Sequence, residues 1–409
     1  MRNCFHGADI LLPGKISMKK WACVACDQFS SQPEYWDRVA EFVGDAPSTY
    51  HMIFPEALLR RGNQEERLHS IYHTMDRYLE NDLFRTFRRS FIYMERTMLD
   101  GTVRRGLVGQ VDLEEYDFTP GSGAKIRATE GTVQERIPPR MKLLEGASLE
   151  FPHVLLLCDD KEDAILHTAA AAEGEKVYDF DLMEHGGHIA GWVISGLGVS
   201  LVNAAVTAYI AGQAAAQDSE TPMAFAVGDG NHSLASAKAC WERLKPTLSP
   251  EEQQEHPARF ALVELENIHD PAITFAPIHR VLKDLDVPAF RAALQTICVP
   301  EGYPIRLVTA EGEETLHLSR EEAPLAVAIL QPFLDAYVQT HGGTMDYIHG
   351  DAVVRELAKA PGTVGLILPG MEKSALFPGV LHGGVLPRKT FSMGQAQEKR
   401  YYLEGKRRR

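Results

Sequence analysis

The sequence predicts an α+β protein built on a mixed sheet, and three observations predict it. Strand-like stretches Ser90–Met98 and Thr102–Leu113 meet near Asp100-Gly101, a turn pair that favours a hairpin. An uncharged run from Ala224 to Val227 breaks at Gly228-Asp229-Gly230 and gives way to helical spacing from Leu234 to Leu244. Beyond about Pro288, helices and strands alternate. The expected sections are residues 1–110, helical with a hairpin; 111–285, the mixed-sheet central module; and 286–409, an α/β section.

Composition bounds what the chain can be. With 409 residues, 44% of them hydrophobic, it can bury a large core. A net charge of −14 argues against nucleic acid or an acidic membrane as partner, and a bound phosphate would need a local cluster of cations. The basic end, Gly405 to Arg409, reads as a solvated tail. No apolar run is expected to approach the roughly 20 residues of a membrane span, and Asp9 and Lys15 spoil a signal peptide. Six scattered cysteines fit reduced thiols, which places the chain in the cytoplasm. Cys23 and Cys26 form a lone C-x-x-C; zinc would want a second pair, and redox use a helix start.

Element by element, an irregular segment runs to about Gln32, and a helix starts at Pro33. Asn63 with Glu66 resembles a capping box, and Leu68, Ile71, Tyr72, Met75, Tyr78, Leu79 and Leu83 follow at helical spacing. His69 and His73 lie four apart on that helix but lack an acidic partner, so they read as surface or half-buried. Lys125 to Thr132, Arg136 and Arg140 to Leu144 make a polar stretch that reads as a surface loop leading into a helix. Strands are expected at Phe151–Leu157, Val177–Leu182 and His188–Ile194, with His185-Gly186-Gly187-His188 as a hairpin turn, and a helix at Val199–Ala214. Arg259–Glu266 and Phe275–Leu282 read as strands. The last section holds helices near Ala289–Thr296, Ala323–Gln339 and Asp351–Ala360, and strands near Ile305–Val308, Glu314–Leu318, Met345–Ile348 and Val364–Leu368.

The central turn is the point of chemical interest. A helix that starts beside glycines presents unpaired N–H groups and the positive end of its dipole, which suits a phosphate. Asp-Gly and Gly-Asn are equally ordinary turn pairs, and Asn231 or Ser233 would cap a helix in any case. His232 tilts the reading toward function, because an imidazole and a carboxylate beside an anion site supply proton transfer. The turn lacks the Walker sequence. Gly228-x-Gly230-x-x-Ser233 also misses the third glycine of the dinucleotide fingerprint.

Taken together, the motifs resemble domain-of-unknown-function family 1015 over nearly the whole chain. The family's D-G-H/N-H turn stands here as Asp229-Gly230-Asn231-His232, its P-x-H-R as Pro277-Ile278-His279-Arg280 and its D-Y-I/V-H-G as Asp346 to Gly350. Its late P-x-K-S/T stands as Pro387-Arg388-Lys389-Thr390. Glu130, Thr132 and Arg140-Met141-Lys142-Leu143-Leu144 match its polar stretch before R-x-x-L-L. In its central module that family is similar to the fold shared by sulfiredoxin, the ParB nuclease-like proteins and the kinases that phosphorylate free serine.

The resemblance implies a ParB/sulfiredoxin-like module and a phosphotransferase using ATP or ADP with Mg²⁺. Its substrates would be a nucleotide and a small hydroxyl-bearing metabolite such as serine. It implies Glu130 as general base, Asp229 as Mg²⁺ ligand or second base, and His232 as a further catalytic group. The cradle would be Gly228, Gly230, Asn231 and Ser233, and Arg140, His279, Arg280, Lys389 and Thr390 would hold phosphate. Arg127, Thr132 and His349 would face the substrate. Relatives often carry Arg after the histidine where this chain has Ser233, which weakens the phosphate site unless Arg140, Arg280 or Lys389 folds over to replace it. Two other classes stay open: a phosphate-ester or nucleotide hydrolase, and a nucleotide-binding regulatory module. The sequence leaves the oligomeric state unknown.

Overall fold

The structure is a computed structural model and describes residues 3–30, 32–58, 63–132, 137–323 and 325–409. Arg136 lies outside the described residues. The chain forms two compact units, Met1–Ile273 with Gln395–Arg409, and Thr274–Gly394.

The first unit is built on an eleven-stranded mixed sheet. Across it run Lys176–Asp181, His188–Ile194, Phe84–Thr97, Val103–Asp112, Phe260–Asn267, Val154–Cys158, Phe225–Asp229, Ile126–Ala128 and Tyr116–Asp117. The boundary expected at residue 110 falls inside Val103–Asp112, so the sheet is continuous across it. Residues that alternate along a strand feed two cores. Ile92, Met94 and Val108 pack with Trp21, Trp36 and Met75, whereas Tyr93, Leu107 and Val227 pack with Val202, Val206 and Trp241. The expected hairpin is present, with Met98 accepting from Gly101 N–H at 3.0 Å. The helix Gln64–Glu80 opens as expected, Asn63 accepting from the N–H groups of Glu65 and Glu66.

Four expectations need correction. The segment before Gln32 is not irregular: Phe5–His6 and Ala8–Pro13 pair with the long strands Val103–Asp112 and Phe84–Thr97. These strands are too short, and Asp9 too polar, to show a period in the sequence. The polar stretch at Lys125 is not a surface loop, because Ile126–Ala128 lies inside the sheet and Lys125, Arg127 and Thr129 are buried. Lys125 can be buried there because Glu115 meets its ammonium at 2.8 Å.

The basic end is not a solvated tail. Lys406 is 4% and Arg408 5% exposed; Lys406 donates to the Pro257 and Phe260 carbonyls, and Arg408 meets Glu150 at 3.0 Å. Finally, Leu197–Gln217 is, by length and composition, the one described helix long and apolar enough to cross a membrane. Val202, Val206 and Ile210 bury one face of it while Leu197 and Leu201 are exposed.

The segment Gln395–Arg409 threads through the first unit as a strap. Arg96, itself buried, donates to the carbonyls of Gln397, Glu398 and Lys399, and Trp21 Nε1 donates to Leu403 at 2.8 Å. Arg400 meets Glu264 at 2.9 Å and pairs with Glu404, while Arg104 meets Glu266 at 2.7 Å. All five of these side chains are buried. Burial and the neighbouring Glu264 outweigh Arg104 and push the Glu266 carboxyl up to about 8.

In the second unit the strands Gly312–Leu318, Cys298–Thr309, Val364–Ile367, Phe275–Lys283 and Thr344–His349 lie side by side, all antiparallel. Phe391–Met393 extends the pairing of Phe275–Lys283. Val354 and Ala358, in and just beyond the Asp351–Leu357 helix, pack on Val281, Val308 and Ile367.

Candidate functional site

The strand Phe225–Asp229 buries Phe225, Ala226 and Val227, then surfaces at Gly228-Asp229. Gly230 turns the chain with φ of 83°, and the helix Asn231–Leu244 begins at once. Only glycine suits this position: φ is left-handed, and an added Cβ would come within 3.1 Å of Val154 Cα. Leu234, Ala237 and Trp241 anchor the helix in the core. Asp229 Oδ1 accepts from Gly230 N–H at 3.0 Å, and Ser233 and Leu234 N–H turn back to the Gly230 carbonyl. The earlier N–H groups of such a helix have no acceptor within it and face any anion at its tip.

Ile126–Ala128 runs parallel to Phe225–Asp229, with Val227 opposite Ala128. One and two residues further on come Gly228-Asp229 and Thr129-Glu130, so both carboxylates leave the sheet at the same end. Asn231 ties the two together: its Oδ1 accepts from Thr129 N–H at 3.1 Å and its Nδ2 donates to Thr129 Oγ1 at 3.1 Å. The Asn231 side chain, 8% exposed, is thus engaged in holding Thr129. Thr132 Oγ1 is buried without a hydrogen-bond partner among the described residues. Arg127 Nε donates to the Ala124 carbonyl, three residues back along the chain. His232 is half-buried in the first turn, and its carbonyl accepts from Ser236 Oγ at 2.7 Å.

Four groups at this site escaped the sequence reading: Lys399, His153, Asp27 and Tyr402. Lys399, delivered by the strap and largely buried, places Nζ 3.1 Å from Asp229 Oδ2. His153 precedes the strand Val154–Cys158, which pairs with Phe225–Asp229, and its Cδ2 lies 3.1 Å from where a Cβ on Gly230 would be. Its Nε2 is 3.4 Å from Asp27 Oδ1, and its Nδ1 is 2.6 Å from Tyr402 Oη. Burial opposes a charge on His153, yet Asp27 overrides it and holds the imidazole well above its ordinary value. Burial likewise opposes the Asp27 carboxylate, and His153 overrides that, holding it well below the usual range. Arg140, on the helix Ile137–Gly146, is paired with Glu56.

His279, Arg280, His349, Lys389 and Thr390 belong to the second unit. His279 is buried; its Nδ1 accepts from Leu368 N–H at 3.2 Å, so Nε2 carries the proton and faces Asp351 at 3.0 Å. Burial lowers its pKa and Asp351 only partly offsets that. Arg280, also buried, donates to Gln331 at 2.9 Å and to the Lys389 and Arg388 carbonyls, and its guanidinium faces the Tyr347 ring. It therefore holds the loop that carries Lys389, whose φ is 58°. Thr390 Oγ1 donates to Pro387, and His349 is exposed opposite Ile278.

The family described as Protein of unknown function (DUF1015) matches residues 13–360. The chain belongs to this family. A search of the curated proteins finds no match to this DUF1015 protein. Among solved structures, it is similar to a free serine kinase in complex with AMP, at 12% identity, TM-score 0.40, over 72% of this chain and 90% of that one. A free serine kinase variant in complex with ADP is similar at 13% identity and TM-score 0.40, over 72% and 90%. The protein SbnI from Staphylococcus aureus, truncated at its C-terminus, is similar at 11% identity and TM-score 0.38, over 70% and 82%.

For metal, the described residues hold no group of three or more His, Cys, Asp or Glu side chains. Mg²⁺ commonly takes one or two carboxylates and completes its shell with water and substrate phosphates. Asp229 is a carboxylate of that kind, its Oδ1 accepting from Gly230 N–H and its Oδ2 facing Lys399.

Proposed function

We propose that this DUF1015 protein transfers a phosphoryl group from ATP or ADP to a small hydroxyl compound, with free serine the first acceptor to test. The observation that carries the reading is the convergence of Glu130, Asp229 and the Asn231–Leu244 helix start at one sheet end, with Lys399 beside Asp229. Phosphoryl transfer asks for little else: charge placed where it develops, and a carboxylate to take the hydroxyl proton. The helix start and Lys399 would receive the phosphates, Lys399 supplying a cation where Ser233 offers none. Glu130 would accept the acceptor's proton. Mg²⁺, when bound, would offset phosphate charge. Mixed parallel and antiparallel pairing around Phe225–Asp229 supports taking this region as a sulfiredoxin-like module. The net charge of −14 supports a small-molecule substrate over nucleic acid, and six free cysteines support a cytoplasmic setting.

Phosphorus NMR with Mg²⁺, offering L-serine and other small hydroxyl compounds as acceptors and ATP, ADP and pyrophosphate in turn as donors, tests the reading. A phosphomonoester signal that requires an acceptor is expected. Inorganic phosphate in the acceptor-free control would point to the hydrolase instead. A melting temperature raised by ATP without turnover would leave a binding module.

A further inference from the structure

Against the flank of the Asn231–Leu244 helix lies a cavity of about 110 Å³. Cavities of this order, ~150 Å³ where measured, admit a molecule the size of benzene when their walls are apolar. Phe54, Met75, Leu143, Leu144, Leu234 and Ala237 line it, and so does Ser233 of the helix's first turn. The cavity therefore adjoins the end of the helix where a phosphate would sit.

Its charged wall groups are each matched. Arg140 is paired with Glu56; Glu150 meets Arg408 at 3.0 Å and accepts from Leu262 N–H at 2.7 Å; His153 is balanced by Asp27. The Tyr402 hydroxyl is shared with His153 and accepts from Cys26 N–H at 3.2 Å. An ammonium or carboxylate entering here would shed water and find no opposite charge uncommitted.

We propose that this cavity seats the uncharged carbon body of the molecule that is phosphorylated, so that the acceptor is a compact apolar alcohol in place of an amino acid. This rests on the phosphoryl-transfer reading above. In the step, the alcohol oxygen bonds to the terminal phosphorus of the nucleotide and the bond from that phosphorus to its bridging oxygen breaks. The electron pair leaves on the shortened nucleotide, and the hydroxyl proton passes to Glu130.

The test uses the full chain without nucleotide, with 3-methyl-1-butanol and benzyl alcohol as probes. In protein labelled at the methionine methyls, Met52 and Met75, which line the cavity, should shift with either alcohol and stay still with L-serine. Saturation transfer to both alcohols should fall at least tenfold in whichever of Ala237→Leu and Leu143→Trp keeps the wild-type melt. The proposal is overturned if neither alcohol moves those methyls, if only other methionines respond, or if adenosine displaces the alcohols and so marks the cavity as a base site. Alcohol binding with no phosphomonoester from any donor would leave the cavity standing and sink the phosphoryl-transfer reading.

Discussion

At the scale of single residues, the site is a set of compensated charges. Glu130 is proposed to act only when the hydroxyl proton leaves, so Glu130→Gln should abolish turnover while changing nucleotide affinity less than about threefold; equal loss of both would make it a binding group. Lys399 is a charge-assisted partner, so Lys399→Met should weaken ATP by roughly 10- to 100-fold, the range of about 1.5–3 kcal/mol for such bonds. Unchanged affinity by calorimetry would remove Lys399 from the cradle.

His153 and Asp27 make a pH prediction. Because the folded imidazole holds its proton longer than a free one, the stability it adds is complete below about pH 6.5 and is lost as pH rises through the raised folded value. Asp27 contributes above about pH 3.9 and loses its share as pH falls toward its depressed value. His153→Gln should therefore lower the melting temperature most near pH 6 and progressively less as pH rises through the raised folded value. A deficit independent of pH would show that packing, not charge, is what the histidine supplies.

At the scale of elements, one turn aims everything. Gly230 has a left-handed φ and the backbone of Val154 close against it, so Gly230→Ala should cost about 1–3 kcal/mol. Urea denaturation measures this, and a loss under ~0.5 kcal/mol would mean the turn relaxes freely. The strand–turn–helix was legible because glycine and helical period are local signals. Its neighbour was not: Lys125 to Glu130 reads as a polar loop since its burial depends on the partners Glu115, Val227 and Asn231, all remote or unmarked in the sequence.

Across the whole molecule, the strap Gln395–Arg409 completes the first unit. Ending the chain after Gly394 would strip Arg96 of the Gln397, Glu398 and Lys399 carbonyls, leaving it that of Gly186, and would strip Glu264 of Arg400. Each broken buried pair costs about 3–5 kcal/mol, against a total of about 5–15 kcal/mol for a domain. The truncated chain should fail to melt cooperatively in calorimetry; a sharp transition near the wild-type temperature would refute the strap's role.

What the sequence determined by itself was set by neighbours along the chain. Turn glycines, the Asn63 cap, the Asp100-Gly101 hairpin and the family motifs all state their geometry within a few residues, and the α+β class follows from them. Only the tertiary structure decided which charges meet. Lys399 reaches Asp229, Tyr402 reaches His153, and Lys406 and Arg408 are buried, because the last residues of the chain return to its first unit. Tertiary structure also assigned His279, Arg280 and Lys389 to a separate unit from the central turn. A long-range pair leaves no period or spacing to read, since its energy depends on a partner and on the water both have lost.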